Sequence, residues 1–353
     1  MSRRSLSLTS DDSREAKRPR LDVLTPDDYR NGLILAPMVR SGALPTRLFA
    51  LKHGAKLVWG PEMVDKAMLH AERVVDPKTG VISYNGKSKA MFTTHPIEKP
   101  YLIFQLGSSS PELAVQAAKV VQDDVAGIDL NCGCPKPFST HSGMGAALLS
   151  NPDLLCAILT ALAASSRRAT RNMRQREPAL IHRLREVVEF VRGLGRDVAV
   201  VQNGDCVGYE DGRRIRAITT ADSCMIATAA ESNPTIFSPT PFTDLEKTLI
   251  PSYVRLCKYF NNHPSSTKFC VAQFKGTHTT LTKAHGKAVR DTIVKGKGYS
   301  DWEGIMAEGF DAQGGLEAGE KEFKDIVAVI EARAANGPPR SPSCRRGCCG
   351  RGS

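Results

Sequence analysis

The chain has 353 residues, 41% of them hydrophobic, which is enough to bury the core of one large domain and a smaller one. No apolar run approaches the roughly 20 residues of a membrane-spanning helix, and the ten cysteines show no regular framework of the kind found in secreted disulfide-rich domains. A net charge of +11 and a pI of about 9.2 favour a polyanionic partner, nucleic acid first and an acidic membrane surface second.

Both ends of the chain are typical of tails. Residues 1–30 are polar and charged, and Lys17–Arg20 resembles a short nuclear-import signal, although such basic runs are common by chance. The residues from about Asn336 onwards are rich in Gly, Pro, Ser and Arg. We therefore expect disorder at 1–30 and 336–353. We expect a cytoplasmic protein, with the nucleus as the alternative.

Between the tails, short apolar runs alternate with segments that have helical character. The predicted strands are Leu33–Ala36, Lys56–Trp59, Tyr101–Gln105, Val125–Leu130, Val198–Val201 and Cys224–Ala227. The predicted helices include Pro111–Asp123, Leu154–Ala164 and Ala179–Leu194. This alternation is typical of a parallel α/β architecture.

Residues with functional character follow the predicted strands, namely Pro37-Met38, Gln105, Asn131–Cys134 and Asn203–Asp205. In a (β/α)₈ barrel, the carboxyl ends of the strands form the active-site face. A doubly wound sheet also places its sites there, but no Gly-x-Gly-x-x-Gly turn follows the first strand. The pattern predicts a TIM-type (β/α)₈ barrel over residues 31–240.

The run from Val125 to Pro135 ends a strand-like segment in two thiols. Cys132 and Cys134 have a poor spacing for zinc, whose paired ligands are usually separated by two to four residues and need two further ligands. One working thiol at a strand end and a buried cysteine beside a turn explain this run equally well.

From about Phe242 the pattern changes to helical spacing, which predicts a helical domain over residues 241–335. Its cationic residues are candidates for RNA binding: Lys268, Lys275, Lys283, Lys287 and Arg290. A solvated helix surface is the alternative interpretation of the same residues.

An ordered set of motifs resembles the tRNA-dihydrouridine synthases. The motifs are Leu35–Arg40, Phe104–Gly107, Asn131–Lys136, Gly143–Leu149, Asn203–Asp205 and Met225–Thr228, followed by Asn233-Pro234. The Pro137–Thr140 insert resembles the eukaryotic subgroup that acts on position 20 of the tRNA D-loop. The resemblance extends from about Gly32 to Gly298, and it is specific because the motifs occur in the family's order.

The resemblance implies an FMN-dependent reductase with NADPH as reductant and tRNA as substrate. Reduced flavin would deliver a hydride to C6 of uracil, and Cys134 matches the family's proton donor to C5. A thiol with an ordinary pKa near 8.5 is mostly protonated at neutral pH and can therefore act as an acid. We expect a monomer that requires neither a membrane nor a metal.

The resemblance also implies flavin-binding residues. Those matching the ring contacts are Pro37, Met38, Val39, Gln105 and Asn131. Those matching the phosphate-binding turns are Asn203, Gly204, Asp205, Ala227 and Thr228. The family usually has Arg or another donor where Thr228 stands, and the Thr hydroxyl brings no charge.

The sequence departs from the family in the middle of the barrel. Six strands are predicted, whereas an eight-stranded barrel needs two more. The segment 153–197, where these two strands should lie, is predicted to form a helix, an Arg-rich linker and a second helix. Relatives carry a Lys and a His at the ends of two successive strands. Here no Lys lies between Lys136 and Lys247, and His182 falls on a predicted helix. We infer an internal deletion of strands 5 and 6 near residues 168–170, from either a gene-model error or genuine divergence.

Three functions follow from these patterns. The first is tRNA uridine reduction, with FMN bound weakly because two of its contacts are missing. The second is a non-catalytic tRNA-binding relative that has lost its flavin. The third is an unrelated flavin oxidoreductase acting on a small molecule, because similar barrels support many reactions.

Overall fold

The protein is represented by a computed structural model that describes residues 24–87, 90–165, 169–172, 180–309 and 317–336, apart from the side chains of 165 and 169–172. The expected tail at 336–353 lies outside these residues except for Asn336, as do Lys17–Arg20 and most of the Arg-rich linker. The expected disorder of residues 24–30 is wrong. A short 3-10 helix, Pro26–Tyr29, places the Tyr29 ring edge-on to Trp59, with 6.2 Å between ring centroids.

The strands, in chain order, are β1 (Gly32–Leu35), β2 (Leu57–Trp59), β3 (Met63–Val64), β4 (Glu72–Val75), β5 (Ile82–Asn85), β6 (Ala90–Thr94), β7 (Leu102–Gly107), β8 (Gly127–Asn131), β9 (Ala169–Asn172), β10 (Val201–Asn203) and β11 (Ser223–Ile226). The α-helices as far as the last strand are α1 (Leu44–Lys52), α2 (Asp65–Leu69), α3 (Pro111–Val121), α4 (Pro137–Thr140), α5 (Pro152–Ser165), α6 (Ile181–Gly193) and α7 (Tyr209–Thr219). Those that follow are α8 (Thr228–Ser232), α9 (Leu245–Thr248), α10 (Ile250–Tyr259), α11 (Pro264–Gln273), α12 (Lys283–Lys295), α13 (Glu303–Ala307) and α14 (Ala318–Asn336).

The parallel strands form one eight-stranded sheet in the order β10-β11-β1-β2-β7-β8-β9, with β3 paired to β7. The last strand pairs with the first, in the register Leu35 to Ile226, as barrel closure requires. The predicted TIM-type barrel is therefore confirmed. Within the described residues β9 and β10 do not pair, so the path of strands stops at these two edges.

The strand count of six was too low, because β9 was not predicted. It pairs in parallel with β8, in the register Ile128 to Ala169 and Asn131 to Asn172. Its sequence, Ala-Thr-Arg-Asn, has no apolar run, so its extended conformation comes from pairing with β8. One of the two strand positions expected to be empty is thus occupied.

A separate antiparallel sheet, β4-β5-β6, was also missed. All four residues of β4 are exposed, including Val74 and Val75, so the strand lacks the alternation that identifies a half-buried strand. The sheet is fixed on its inner face by Tyr84 and Phe92, whose ring centroids are 5.8 Å apart.

Two apolar cores lie on opposite faces of the parallel sheet. The inner core fills the barrel with Leu24, Tyr29, Ile34, Ala36, Leu57, Trp59, Ile103 and Met225. The outer core packs the other strand face against the helices and continues into the C-terminal helices. In this outer core the Tyr253 hydroxyl of α10 lies 3.0 Å from that of Thr46 on α1.

A buried ion pair anchors the loop that follows β1. Arg47 and Glu98 are 1% and 0% exposed, and their charged groups meet at 2.6 and 2.9 Å in a bidentate pair. The Arg47 guanidinium also donates to the carbonyl oxygens of Gly42 and Thr93, both at 2.6 Å. The pair therefore ties the β1–α1 loop to β6.

We predict that Arg47→Met lowers the free energy of unfolding by about 3–5 kcal/mol, because it leaves the Glu98 carboxylate buried without its partner. Urea titration followed by circular dichroism measures this change. Arg213→Met is the matched control, since its partner Glu210 and Arg213 itself are exposed, and it should change stability by no more than about 0.5 kcal/mol. Equal midpoints for the two variants would contradict the prediction.

Candidate active site

The carboxyl end of β8 carries a loop that is held by one side chain. The Asn131 side-chain oxygen accepts hydrogen bonds from the backbone N–H groups of Gly133 and Cys134, at 2.9 and 3.1 Å. This is a turn in which an Asn side chain replaces a backbone acceptor. Asn131 is 8% exposed, so the turn is buried and fixed in orientation.

The two thiols of this loop have different surroundings. Cys132 is 0% exposed, and its sulfur donates to the Leu130 carbonyl oxygen at 3.5 Å. Cys134 is a free thiol that is only partly buried. Of the two, Cys134 is therefore the one that a substrate can reach, and Cys132 belongs to the outer core.

The returning half of the loop closes tightly on Cys134. The Ala146 N–H donates to the Cys134 carbonyl oxygen at 3.0 Å. Gly145 has φ +60°, and a Cβ there would lie 2.5 Å from the Ser139 hydroxyl and 2.6 Å from the Cys134 carbonyl oxygen. Only glycine fits at position 145, because a Cβ would clash with both atoms. This close contact joins the returning half of the loop to Cys134.

The buried side chain of Asp129 connects strands of the barrel next to this loop. Asp129 is 1% exposed, and it accepts hydrogen bonds from the Gln105 amide at 2.7 Å and the Trp59 indole at 3.1 Å. Asp129, Gln105 and Trp59 lie on β8, β7 and β2, so the Asp129 carboxyl group connects three strands. One Gln105 N–H is thereby occupied, and the expected contact of Gln105 with a flavin ring stays a prediction.

The turn after β1 contains the expected ring contacts Pro37, Met38 and Val39. Met38 is 6% exposed, whereas Val39 is 57% exposed at the rim. The Gly42 N–H donates to the Met38 carbonyl oxygen at 2.8 Å. Arg40, at φ +67°, places its guanidinium carbon 3.8 Å from the Phe269 ring centroid, which links the turn to α11.

The expected phosphate turns lie at the ends of adjacent strands. β10 pairs with β11 in the register Asn203 to Met225, so residues 203–205 lie beside Ala227 and Thr228. Gly204 and Asp205 have φ of 143° and 52°. Thr228 begins the five-residue helix α8. The fold thus brings all five residues together, and their role as phosphate ligands stays a prediction.

The expected RNA-binding residues differ in their exposure to solvent and in whether an ion pair already neutralises their charge. Lys275, Lys283 and Lys287 are exposed, and Lys268 is partly buried. Arg290 instead donates from Nε, at 2.8 Å, to Glu246, whose side chain is 0% exposed. The Arg290 charge is therefore already neutralised by Glu246 within the protein.

Sequence reasoning missed Glu62, which follows β2 and has no motif around it that predicts a role. Its Oε1 atom is buried without a hydrogen-bond partner among the described residues. Burial raises the pKa of the Glu62 carboxyl, while a hydrogen bond with Asn131 and the charge of Lys136 oppose the rise. A perturbed carboxyl beside a reactive loop is the signal that identifies it.

The described residues contain neither a metal site nor a membrane-spanning helix. No group of three or more His, Cys, Asp or Glu residues among them is placed to hold a metal. No helix in the same ranges is long and apolar enough to cross a membrane.

The family model described as "Dihydrouridine synthase (Dus)" matches residues 34–167 and 165–328. The chain belongs to the dihydrouridine synthase family. The two matched segments cover the motifs from the turn after β1 to the C-terminal helices, in the order in which they were recognised.

Named relatives agree with this membership. A Schizosaccharomyces pombe protein named tRNA-dihydrouridine(20) synthase [NAD(P)+] is 39% identical over 351 residues, covering 86% of this chain and 71% of the relative. A Saccharomyces cerevisiae protein of the same name is 35% identical over 303 residues, covering 69% of this chain and 77% of the relative. A solved variant of NCR from Zymomonas mobilis gives a TM-score of 0.36 at 12% identity, covering 58% of this chain and 84% of that one, which is too low to carry any conclusion.

The same relatives bear on the inferred deletion. The family match is interrupted at residues 165–167, immediately before β9. The alignment with the S. pombe relative is 351 positions long, but it covers only 86% of this 353-residue chain. The relative therefore has several tens of residues without a counterpart here. A βα unit of this fold takes about 30 residues. The division of the match supports a loss of barrel material near residues 165–167, before β9.

Proposed function

We propose that this protein reduces uridine to 5,6-dihydrouridine in the D-loop of tRNA, at position 20. The observation that carries the proposal is the preorganised loop from Asn131 to Gly145, with Cys134 accessible, in a chain that belongs to the dihydrouridine synthase family. The names of the two yeast relatives support the position and a nicotinamide reductant. Membership in this family argues against a small-molecule flavin oxidoreductase.

Cys134 is the proposed acid. Its thiol is partly exposed at the strand end, while its backbone N–H and carbonyl groups are both held by hydrogen bonds. A fixed backbone restricts the positions of the thiol, which favours delivery of a proton to a single substrate atom, C5 of the uracil ring. A target base that is splayed out of the D-loop could reach such a rim position.

FMN is the proposed cofactor and NADPH its reductant, and the flavin when bound supplies the hydride. The turn 37–39 follows β1, and Gln105 and Asn131 lie on the adjacent strands β7 and β8; these residues fit the ring end. Residues 203–205 and 227–228 fit the phosphate end, with backbone N–H groups and the Thr228 hydroxyl. The sequence offers no lysine between 136 and 247 for the region between these ends. We propose that FMN binds, but weakly.

Exposed Lys275, Lys283 and Lys287 form the proposed tRNA-binding surface, where they can hold phosphates without first breaking an ion pair to another described residue. Lys268 and Arg290 stay predicted contacts, although Arg290 would have to leave Glu246 to meet a phosphate. A monomeric state and a cytoplasmic or nuclear location also remain part of the proposal.

A tRNA-binding relative without catalysis is the second candidate. Within the described residues β9 and β10 do not pair with each other, which favours this candidate, because a strand between them would carry flavin contacts in the family that the chain resembles. Both candidates require the basic surface, and they differ in whether Cys134 and a bound flavin are used.

We expect Cys134→Ala to reduce dihydrouridine formation in tRNA by about a hundredfold or more, because it removes the proposed proton donor. Mass spectrometry of digested tRNA measures the product. Cys132→Ala is the control and should retain activity, since its sulfur is buried. Full activity in Cys134→Ala would remove this thiol from the mechanism. An inactive parent that still binds tRNA would favour the second candidate.

The joint substitution of Lys283 and Lys287 by Ala should weaken tRNA binding. It should also reduce the slope of log affinity against log salt by about 1 for each phosphate that is no longer neutralised. Filter binding at several salt concentrations measures both quantities. Lys324→Ala is the control, because Lys324 pairs with Glu320 at 2.7 Å on α14. An unchanged slope in the double variant would place the tRNA elsewhere.

The purified chain should contain little FMN, and equilibrium dialysis should show weak binding, because the barrel lacks the strand material between β9 and β10. Inserting the unmatched segment of the S. pombe relative between residues 165 and 169 should restore tight binding. The same number of Gly and Ser residues is the control insertion. A yellow parent protein with near-stoichiometric FMN would show that the prediction is wrong.

A further inference from the structure

A cleft with three arginines lies on the face of the barrel opposite the candidate active site. Asn31 immediately precedes β1 and Asp222 immediately precedes β11, so the cleft lies at the amino ends of these strands. The active-site residues of this fold follow the carboxyl ends instead. The cleft has a volume of about 430 Å³, which is within the range of small-molecule sites. Its polar lining residues are Asn31, Arg192, Arg213, Arg216, Thr220 and Asp222.

The arginines come from α6 and α7, which pack against each other. Arg192 lies in the last turn of α6, whereas Arg213 and Arg216 lie three residues apart on α7 and therefore on one face of that helix. Arg192 donates to the carbonyl oxygen of Thr220, which ends α7, at 2.7 Å. The packing of the two helices thus brings the three guanidinium groups to one cleft.

Positive charge exceeds negative charge in the lining. Within the described residues the lining contains one carboxylate, Asp222, against three guanidinium groups. The Asp222 carboxylate lies 3.3 Å from Arg30 and 3.9 Å from Arg192, so its charge is shared between two cations. Arg30 itself also pairs with Asp27 and Asp197, which are largely exposed and lie outside the lining.

Arg216 has no carboxylate partner among the described residues. Its Nη2 atom donates to the neutral side-chain oxygen of Asn31 at 2.8 Å. Its Nε atom is buried without a hydrogen-bond partner in the same part of the chain, as is the Thr220 hydroxyl. A buried cationic donor without an acceptor is unfavourable, and an anion held by the same guanidinium would offset that cost.

Neutralisation of helix ends is the simpler explanation for arginines in such positions. It accounts for Arg192, which bonds a carbonyl group at the end of α7. It does not account for Arg213, which lies in the middle of α7, or for Arg216, whose guanidinium bonds Asn31 outside the helix. Arg213 pairs with Glu210 at 3.3 Å, but both side chains are more than half exposed, so this pair contributes little.

We propose that this cleft binds a phosphate group. Guanidinium groups match the oxygens of a phosphate with paired N–H donors, and they stay charged at physiological pH. The polar lining disfavours an apolar ligand. A phosphorylated small molecule and the backbone of an RNA both carry the required group. The site is built from other elements than the proposed flavin and tRNA contacts, and it does not depend on the proposed reaction.

Inorganic pyrophosphate is the probe, titrated into the full-length protein by calorimetry with the ionic strength held constant by sodium chloride. We expect the parent to bind it. Arg192→Gln, Arg213→Gln and Arg216→Gln should each weaken binding about tenfold, because each removes a charge-assisted hydrogen bond. Arg185→Gln is the matched control, since Arg185 is also exposed on α6 but pairs with Glu189 at 3.0 Å outside the lining. It should retain the parental affinity.

A second measurement identifies the source of the phosphate. Filter binding of tRNA is measured at several salt concentrations for the parent, Arg192→Gln and Arg213→Gln. A slope of log affinity against log salt that falls by about 1 in each variant would show that the cleft holds an RNA phosphate. Parental tRNA binding together with weakened pyrophosphate binding would assign the cleft to a phosphorylated small molecule. Either result supports the phosphate site.

Two results would overturn the proposal. One is a parent that does not bind pyrophosphate. The other is equal pyrophosphate binding by the parent and all three arginine variants, which would place the probe on another surface. If Arg216→Gln does not fold, Arg192→Gln and Arg213→Gln still decide, because both side chains are more than half exposed. A parent without dihydrouridine activity would overturn the proposed function and leave this test unchanged.

Discussion

Hydrogen bonding between parallel strands is the constraint on which the rest of this molecule depends. The path β10-β11-β1-β2-β7-β8-β9 runs in one direction, so every carboxyl end lies on the same face. The turn 37–39, Gln105, the Asn131 loop and the turn 203–205 are far apart in sequence and meet only for this reason. The pairing of β11 with β1 is decisive, because it joins the two ends of the site.

The interruption between β9 and β10 leaves this arrangement in place. Each expected flavin-binding or catalytic residue lies on, or directly after, a strand of the continuous path. Within the described residues, the path of strands stops at β9 on one side and at β10 on the other. The Asn131 loop is therefore complete, and weak flavin binding stays a prediction.

Polar groups at the centre of the site are engaged before any ligand binds. Asp129 joins three strands, and Asn131 holds the Cys134 loop. Such preorganisation reduces the reorganisation that a reaction would otherwise require.

In the C-terminal helices, some positive charges are paired with buried acidic groups and others are exposed to solvent. Arg290 is paired with buried Glu246, whereas neighbouring lysines remain exposed. Surface lysines are therefore better placed than Arg290 to meet a polyanion.

The sequence by itself determined the elements with strong local signals. The apolar runs at β1, β2, β7, β8 and β11 predicted buried strands, because burial on both faces leaves little choice of residue. The ordered motifs predicted the family and the importance of Cys134. The lack of a strand-like run between 153 and 197 predicted two empty strand positions, and β9 occupies one of them.

Only the tertiary structure decided the features that depend on partners distant in sequence. β9 is extended because β8 offers a free edge, and Ala-Thr-Arg-Asn carries no signal of its own. The exposed strand β4 likewise depends on β5. Glu62 resembles any surface glutamate in sequence, and its position over Gly107 depends on the pairing of β3 with β7. Local patterns report burial, whereas hydrogen-bond partners across the sheet edge become known only when the chain is folded.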